Sequence, residues 1–295
     1  MDFSLTQEQE AIRDAIGKIC ASFGDDYWLK RDREGGFPVE LHQALAQAGW
    51  LGIAMPEAHG GTGLGITEAA VMMQEISESG AGFSGASAVH MNIFGLNPVV
   101  VFGSESQKKR MLPPLIAGTE RACFAVTEPN TGLNTTRITT KAERRGDQYL
   151  ISGQKVWIST AQIAEKILLL ARTTPLEECA KPAQGLTLFY TDFDRKHVEV
   201  REIEKMGRKA VDSNQVFFDA MPVPVADRIG EEGRGFDYIL HGMNPERILI
   251  AAESVGLGRV AVQRAYCAAR FTATRPRPTD SAAIRMRSGF MPCRM

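Results

Sequence analysis

The hydrophobic pattern of this chain changes its period twice, and this limits the folds that the chain can adopt. Up to residue 118 the apolar residues recur at helical spacing, beginning with the segment 4–22 and its acidic first turn. Between residues 121 and 225 they alternate with a period of two, which is typical of half-buried strands. Helical spacing returns after the glycine-rich segment 230–235. The order of elements is therefore helical, then β, then helical.

This order predicts an α+β fold with three parts. We expect an N-terminal all-α domain at 1–118, a middle antiparallel β domain (a barrel or sandwich) at 119–228, and an incomplete C-terminal helical domain at 229–295. Further helices of the first domain are expected at 38–49, 66–80, 84–102 and 105–117.

The composition argues against several classes of partner. The 295 residues carry a formal net charge of −1, which gives no electrostatic basis for binding nucleic acid or an anionic membrane surface. No apolar run is long enough to span a bilayer. The N-terminus has the features of neither a secretory signal nor a transit peptide. We therefore expect no nucleic acid partner and no membrane span.

The cysteines and histidines give no sign of a metal site. The five residues of each type are scattered, without a Cys-x-x-Cys pair or a His-Glu-x-x-His motif. Scattered cysteines are typical of a reducing compartment, so we expect a cytoplasmic location and neither a metal nor a disulfide framework.

The segment 123–160 has the features of a ligand-binding strand pair. It begins as a half-buried strand at Phe124 and turns at 128–132, where glycine permits a close approach of the backbone to a ligand. On the return strand, Trp157 and Ser159 are two residues apart and should share one face. The indole would provide a stacking wall for a flat ring, and the hydroxyl one hydrogen bond. The same pattern also fits an ordinary hairpin with a core tryptophan.

This segment resembles the flavin-binding β domain of the acyl-CoA dehydrogenase family. That domain carries the patterns F-x-x-T-E-P-x-x-G-S-D and G-x-K-x-W-I-[ST]. The matching residues here are Phe124, Thr127, Glu128, Pro129, Gly132, Gly153, Lys155, Trp157, Ile158 and Ser159. The chain departs from the family at Leu133 and Asn134, where Ser-Asp is usual. The helical–β–helical order also matches the family across residues 1–270.

The resemblance implies FAD as the cofactor. The implied cofactor-binding residues are Phe124, Val126, Thr127, Gly132, Leu133, Trp157, Ile158 and Ser159. Leu133 replaces a serine that helps to hold the flavin phosphate or the pantetheine arm of the substrate, so only its backbone can serve there. We expect Lys155, on the same strand, to be exposed.

The resemblance also implies a reaction, the α,β-dehydrogenation of an acyl-CoA thioester. A carboxylate base removes the α-proton while flavin N5 takes the β-hydride, and such a base needs a desolvated site and a raised pKa. Glu246, directly before Arg247, is in the location used by isovaleryl- and long-chain-type enzymes, and is the implied base. The alternative is a solvated glutamate that stabilises the helix dipole.

The residues around Glu246 predict how it is held. Asn244 followed by Pro245 is typical of a helix start, with asparagine as the cap. By resemblance, Asn244, Arg247 and Leu133 bind the substrate. Glu253 is expected on another face of the helix, with a structural role.

The end of the chain departs from the family. Family members continue with further helices, whereas here Pro276 and Pro278 interrupt a basic tail that is atypical from residue 271. We expect this tail to be poorly ordered, and the chain to be a truncated or frame-shifted copy.

Three functional readings remain open. The first is an acyl-CoA dehydrogenase of fatty acid β-oxidation, with acyl-CoA as substrate, an electron-transfer flavoprotein as acceptor and a dimeric or tetrameric homo-oligomer. The second is a non-catalytic partner subunit of a mixed oligomer. The third is a flavin monooxygenase-type relative, which would not need Glu246.

Overall fold

The computed structural model describes residues 4–273, and its first part is helical. The helices are α1 (Gln7–Cys20), α2 (Asp25–Glu34), α3 (Val39–Gln47), α4 (Ile66–Ile76), α5 (Gly82–Ala86), α6 (His90–Phe94), α7 (Asn97–Phe102) and α8 (Glu105–Ile116). Within residues 4–273 no single helix is long and apolar enough to cross a membrane, although one bent pair, Ile66–Ala86 with His90–Phe102, passes on length and composition. The tail expected to be poorly ordered lies outside the described residues from 274 onward.

Two features of this part differ from the sequence prediction. The segment 84–102, predicted as one helix, forms α5, α6 and α7. Pro98 has no N–H to donate to the carbonyl of Phe94, so the helix ends there. The sequence pattern does not predict α2, because Trp28 is its only buried residue and leaves no apolar repeat to detect.

The middle part is one sheet of eight strands. The strands are β1 (Ala122–Ala125), β2 (Lys141–Arg145), β3 (Gln148–Ser159), β4 (Lys166–Arg172), β5 (Leu186–Asp192), β6 (Val198–Glu202), β7 (Ser213–Pro224) and β8 (Arg228–Ile229). Their order is β6-β7-β3-β2-β4-β5-β8, and β1 pairs with β4. The pairing is antiparallel except where β1 and the first residue of β2 lie parallel to β4.

The sheet separates two hydrophobic cores. On β4, Leu168 and Leu170 face the core shared with the helical domain, while Ile167 and Leu169 face a second core on the other side. Because both faces of β4 are covered, its apolar residues run without alternation. The predicted α+β class, with a helical first part and a β middle part, is confirmed.

A long helix, α9 (Gly235–Ala273), follows the sheet and packs against the first domain. Gly256 permits this contact, since a Cβ built there would lie 2.3 Å from the carbonyl oxygen of Gln74 on α4. The hydroxyl of Ser77 donates to the carbonyl of Glu253 at 2.7 Å. The helix therefore joins the sheet to the N-terminal helices.

The predicted helix start at Asn244 and Pro245 is wrong, because α9 runs through both residues. An interior proline leaves the carbonyl four residues earlier, here that of His241, without its helical N–H donor. The side-chain amide of Asn97, at the start of α7, donates to that carbonyl at 2.7 Å. Asn97 thus replaces the donor that Pro245 lacks.

The prediction that Lys155 is exposed is also wrong. Lys155 is 1% exposed, and its Nζ donates to Glu128 Oε1 at 3.0 Å and to the carbonyl of Val126 at 2.9 Å. Glu128 also accepts from the backbone N–H groups of Thr139 and Thr140 at 2.7 and 2.9 Å. Burial lowers the pKa of Lys155 to about 8 against the opposing effect of Glu128. Although burial acts to raise it, the Lys155 ammonium and these threonines hold the pKa of Glu128 below its usual value.

Breaking this buried ion pair should destabilise the fold. We expect Lys155→Met to lower the free energy of unfolding by about 3–5 kcal/mol, because it leaves the Glu128 carboxylate buried without its cation. Lys141→Met, at an exposed position of β2, is the control and should change it by less than about 0.5 kcal/mol. Urea unfolding measures both, and equal small effects would contradict the proposed role of the pair.

The contact between Asn97 and Pro245 predicts a non-additive pair of substitutions. Asn97→Ala should lower the free energy of unfolding by about 1 kcal/mol, because the carbonyl of His241 loses its donor. In a Pro245→Ala background the same change should have almost no effect, since the restored backbone N–H takes over the carbonyl. Asn244→Ala, at an exposed neighbouring position, is the control. The same loss in both backgrounds would show that Asn97 acts in another way.

Candidate active site

The strand that carries Trp157 is interrupted by a β-bulge. Three steps along β3, from Lys155 to Ile158, match two steps along β7. Trp157 has a φ of 64°, which is rare for a large side chain, and is 61% exposed. Ile158 is buried between the exposed Trp157 and the half-buried Ser159. The bulge directs the indole away from the sheet core.

The turn after β1 is held close to this strand. The carbonyl of Thr127 accepts a hydrogen bond from the N–H of Val156 at 2.9 Å, and Val126 is buried. Gly132 is exposed, and a Cβ built on it would meet no atom within 4 Å. Leu133 is also fully exposed, so its side chain makes no core contact.

Phe124 connects the turn to α9. Its ring centroid lies 5.2 Å from that of Phe94 on α6. A Cβ built on Gly242 would lie 3.6 Å from Phe124 and 3.0 Å from the carbonyl oxygen of Phe94. Gly242 therefore lets α9 approach both elements. Glu246 is one helical turn further along α9, on the same side.

Glu246 lies in a partly desolvated position. Glu246 is half-buried, and burial raises the pKa of its carboxyl. His90 and Arg247 act to lower the pKa of Glu246, whereas the neighbouring carboxylate of Glu253 acts to raise it further. A raised pKa is what proton abstraction from carbon requires of a carboxylate.

The prediction that Glu253 lies on another face of α9 is wrong. Seven residues are close to two helical turns, so Glu246 and Glu253 share a face. Glu253 is fully buried, and its Oε1 lies 3.0 Å from Nδ1 of His90. Within residues 4–273, its Oε2 has no hydrogen-bond partner. Glu253 thus belongs to the surroundings of Glu246.

The other predicted substrate residues lie on the exposed side of α9. Asn244 and Arg247 are exposed, and Nη1 of Arg247 donates to the carbonyl of Met243 at 3.0 Å. Asn244 lines a groove of about 330 Å³ together with Asn97 and His241. These residues are near Glu246 in sequence, whereas Leu133 lies on the exposed turn after β1 in the β domain.

Sequence reasoning missed Arg208, which lies between β6 and β7. Its Nη2 donates to Ser159 Oγ at 3.2 Å and to Ser213 Oγ at 3.3 Å, and its Nη1 donates to Ser87 Oγ at 3.1 Å. Arg208 has a φ of 53°. Burial lowers the pKa of its guanidinium, while Glu253 acts in the opposite direction. No motif in the sequence indicates these contacts, because the three serines come from three distant segments.

The residues present fit a flat aromatic cofactor. Trp157 offers an exposed indole, Ser159 a half-buried hydroxyl, and Gly132 an open backbone surface.

Comparison with known proteins identifies both parts of the chain. Residues 6–119 match the family described as the N-terminal domain of acyl-CoA dehydrogenase, and residues 123–221 match its middle domain. Among curated relatives, acyl-CoA dehydrogenase FadE12 of Mycobacterium tuberculosis is 33% identical over 267 residues, which cover 89% of this chain and 66% of the relative. The chain thus spans just under two thirds of FadE12.

A second relative and a solved structure agree. Probable acyl-CoA dehydrogenase YngJ of Bacillus subtilis is 30% identical over 272 residues, covering 92% of this chain and 70% of the relative. The structure of butyryl-CoA dehydrogenase from Megasphaera elsdenii superposes with a TM-score of 0.84 at 25% identity, covering 94% of this chain and 72% of that one. Domain matches, relatives and fold agree, and this chain belongs to the acyl-CoA dehydrogenase family.

Proposed function

We propose that this chain is an FAD-dependent acyl-CoA dehydrogenase in which Glu246 is the catalytic base. Acyl-CoA dehydrogenases are FAD-dependent flavoproteins. The observation that carries the proposal is the position of Glu246. Its carboxyl is half-buried with a raised pKa, one turn from the point where α9 packs against Phe124 of the flavin-binding strand. A solvated glutamate at a helix terminus would have neither property.

Each residue has a distinct role in the proposed reaction. Glu246 takes the α-proton of the acyl thioester, and desolvation makes its carboxylate a stronger base. Trp157 provides a stacking face, and Ser159 a hydroxyl that can donate a hydrogen bond to the ring. Bound FAD would supply the acceptor for the β-hydride. Asn244, Arg247 and the backbone of Leu133 contact the CoA part of the substrate.

The proposed partners follow from the same family. The electron acceptor is an electron-transfer flavoprotein, the pathway is fatty acid β-oxidation or a related acyl-CoA conversion, and the location is cytoplasmic. A homo-oligomer is supported by α9, where the exposed apolar residues Ile248, Val255 and Val262 recur at every seventh position. Such a stripe is typical of a helix face that packs against another helix.

Substituting the base tests this function. We expect Glu246→Gln in the full chain to leave the FAD and acyl-CoA dissociation constants within about threefold, because size and hydrogen bonding are kept. Anaerobic bleaching of the flavin by butyryl-CoA or isovaleryl-CoA should fall by at least about a thousandfold, since only the transition state loses an interaction. In the parent chain, bleaching should slow as the pH falls through the raised pKa of Glu246, because only the carboxylate accepts a proton.

Asp237→Asn is the matched control for Glu246→Gln. It makes the same change of carboxylate to amide on α9, at an exposed position paired with Arg234. It should leave the bleaching rate unchanged. Bleaching of the Glu246→Gln variant at the parent rate would rule out Glu246 as the base. A parent chain that binds FAD and acyl-CoA without bleaching would favour the non-catalytic partner subunit.

The flavin-binding strand makes a separate prediction. Trp157→Ala should weaken FAD binding about tenfold, because the base–aromatic stacking of a flat ring typically contributes about 1–3 kcal/mol. Gln154→Ala, at an exposed position on the same strand, should leave it unchanged. Fluorescence titration with FAD measures both. Equal affinities of the two variants would remove Trp157 from the site.

A further inference from the structure

The guanidinium of Arg208 lies where the helical domain meets the strand that carries Ser159. Its three serine partners come from the segment between α5 and α6 (Ser87), from the end of β3 (Ser159) and from the start of β7 (Ser213). The side chain is partly buried, and the φ of 53° at Arg208 is uncommon for a residue other than glycine. Several simultaneous contacts are what keep a backbone in such a conformation.

The direction of the hydrogen bond from Arg208 determines what Ser159 can do. A guanidinium can only donate, so the oxygen of Ser159 accepts from Nη2 at 3.2 Å. A serine hydroxyl has one proton, and among residues 4–273 no hydrogen bond uses the Ser159 proton. The Ser159 proton is therefore left to donate to a ligand at this half-buried position, two residues from the exposed indole of Trp157.

We propose that Arg208 is a positioning residue for the flavin: by occupying the oxygen of Ser159, it directs the Ser159 proton toward the ring of bound FAD. This inference rests on the proposed flavin site. The positive charge that Arg208 holds beside this strand has a second consequence. It favours added electron density on the bound ring, so it should raise the midpoint potential of the flavin.

A role in the assembly of the domains alone would have a different signature. Arg208 bonds Ser87 through Nη1 and Ser159 through Nη2, so the two roles can be separated by substituting the serines one at a time. Ser87→Ala removes the bond to the helical domain and leaves the bond to Ser159. It should lower the melting temperature and leave FAD affinity within about twofold.

The test is a double-mutant cycle on FAD affinity in the full chain, with the midpoint potential as a second measurement. We expect Arg208→Gln and Ser159→Ala each to weaken FAD binding about tenfold, as for the loss of one charge-assisted hydrogen bond. The double variant should be no weaker than Ser159→Ala, because Arg208 acts through that hydroxyl. Arg208→Gln should also lower the midpoint potential.

The outcomes separate this inference from the proposed function. About hundredfold weaker binding in the double variant, or no effect of Arg208→Gln, overturns the role of Arg208 and leaves the flavin site intact. No effect of Ser159→Ala, or no FAD binding by the parent chain, overturns the flavin site as well. If Arg208→Gln is unfolded by circular dichroism, Arg208→Lys replaces it, and its deficit must likewise disappear in the Ser159→Ala background.

Discussion

The buried ion pair between Glu128 and Lys155 is the interaction on which the proposed flavin-binding surface depends. It joins three segments of the chain, because Lys155 bonds the carbonyl of Val126, directly after β1, while Glu128 bonds the backbone of Thr139 and Thr140. Both charges are buried, so the free energy of their attraction is largely offset by the loss of their hydration, and the pair adds little net stability. Its consequence is geometric. It keeps Lys155 inside the sheet at the start of the bulge, and the bulge then turns Trp157 outward. Glu128 and Lys155, which both belong to the sequence motif, thus support the turn after β1 and the bulge that follows Lys155.

The second constraint is the path of α9 past the helical domain. A proline inside a helix normally bends it or leaves a carbonyl unpaired, and here Asn97 supplies the missing donor from α7. Gly242 and Gly256 let the same helix approach α6 and α4 closely at two points on either side of Glu246. The backbone of α9 is therefore fixed on both sides of Glu246, and none of these contacts uses the Glu246 carboxyl itself. That arrangement leaves Glu246 available for chemistry while its position is set by its neighbours.

The sequence predicts what depends on local periodicity and on motif, and fails where distant residues meet. The change of period near residue 121 predicts the helical and β parts, because burial on one face repeats along each element. From the sequence we expect Lys155 at the surface, and only the position of Glu128 in the folded chain reveals the partner with which it is buried. The local pattern of Asn244 followed by Pro245 predicts a helix start. The donor that lets the helix continue through Pro245 is Asn97, which lies far away in the sequence. Arg208 has no local signal, since its three serines meet only in the folded chain.

The surroundings of Glu246 include a second carboxylate, Glu253, which acts on its pKa. Burial alone raises the pKa of Glu246, and the negative charge of Glu253 on the same helix face raises it further. In the proposed reaction Glu246 takes a proton and loses its charge, so the repulsion between the two carboxylates is relieved as the proton is transferred. Glu253 can remain buried because His90 contacts it directly and the cation of Arg208 is close enough to act on it. Since Arg208 also donates to Ser159, the charges around Glu246 and the hydroxyl of Ser159 on β3 belong to one connected group. In the proposed function, a substitution of Arg208 itself would therefore act on the base through Glu253 and on the flavin through Ser159.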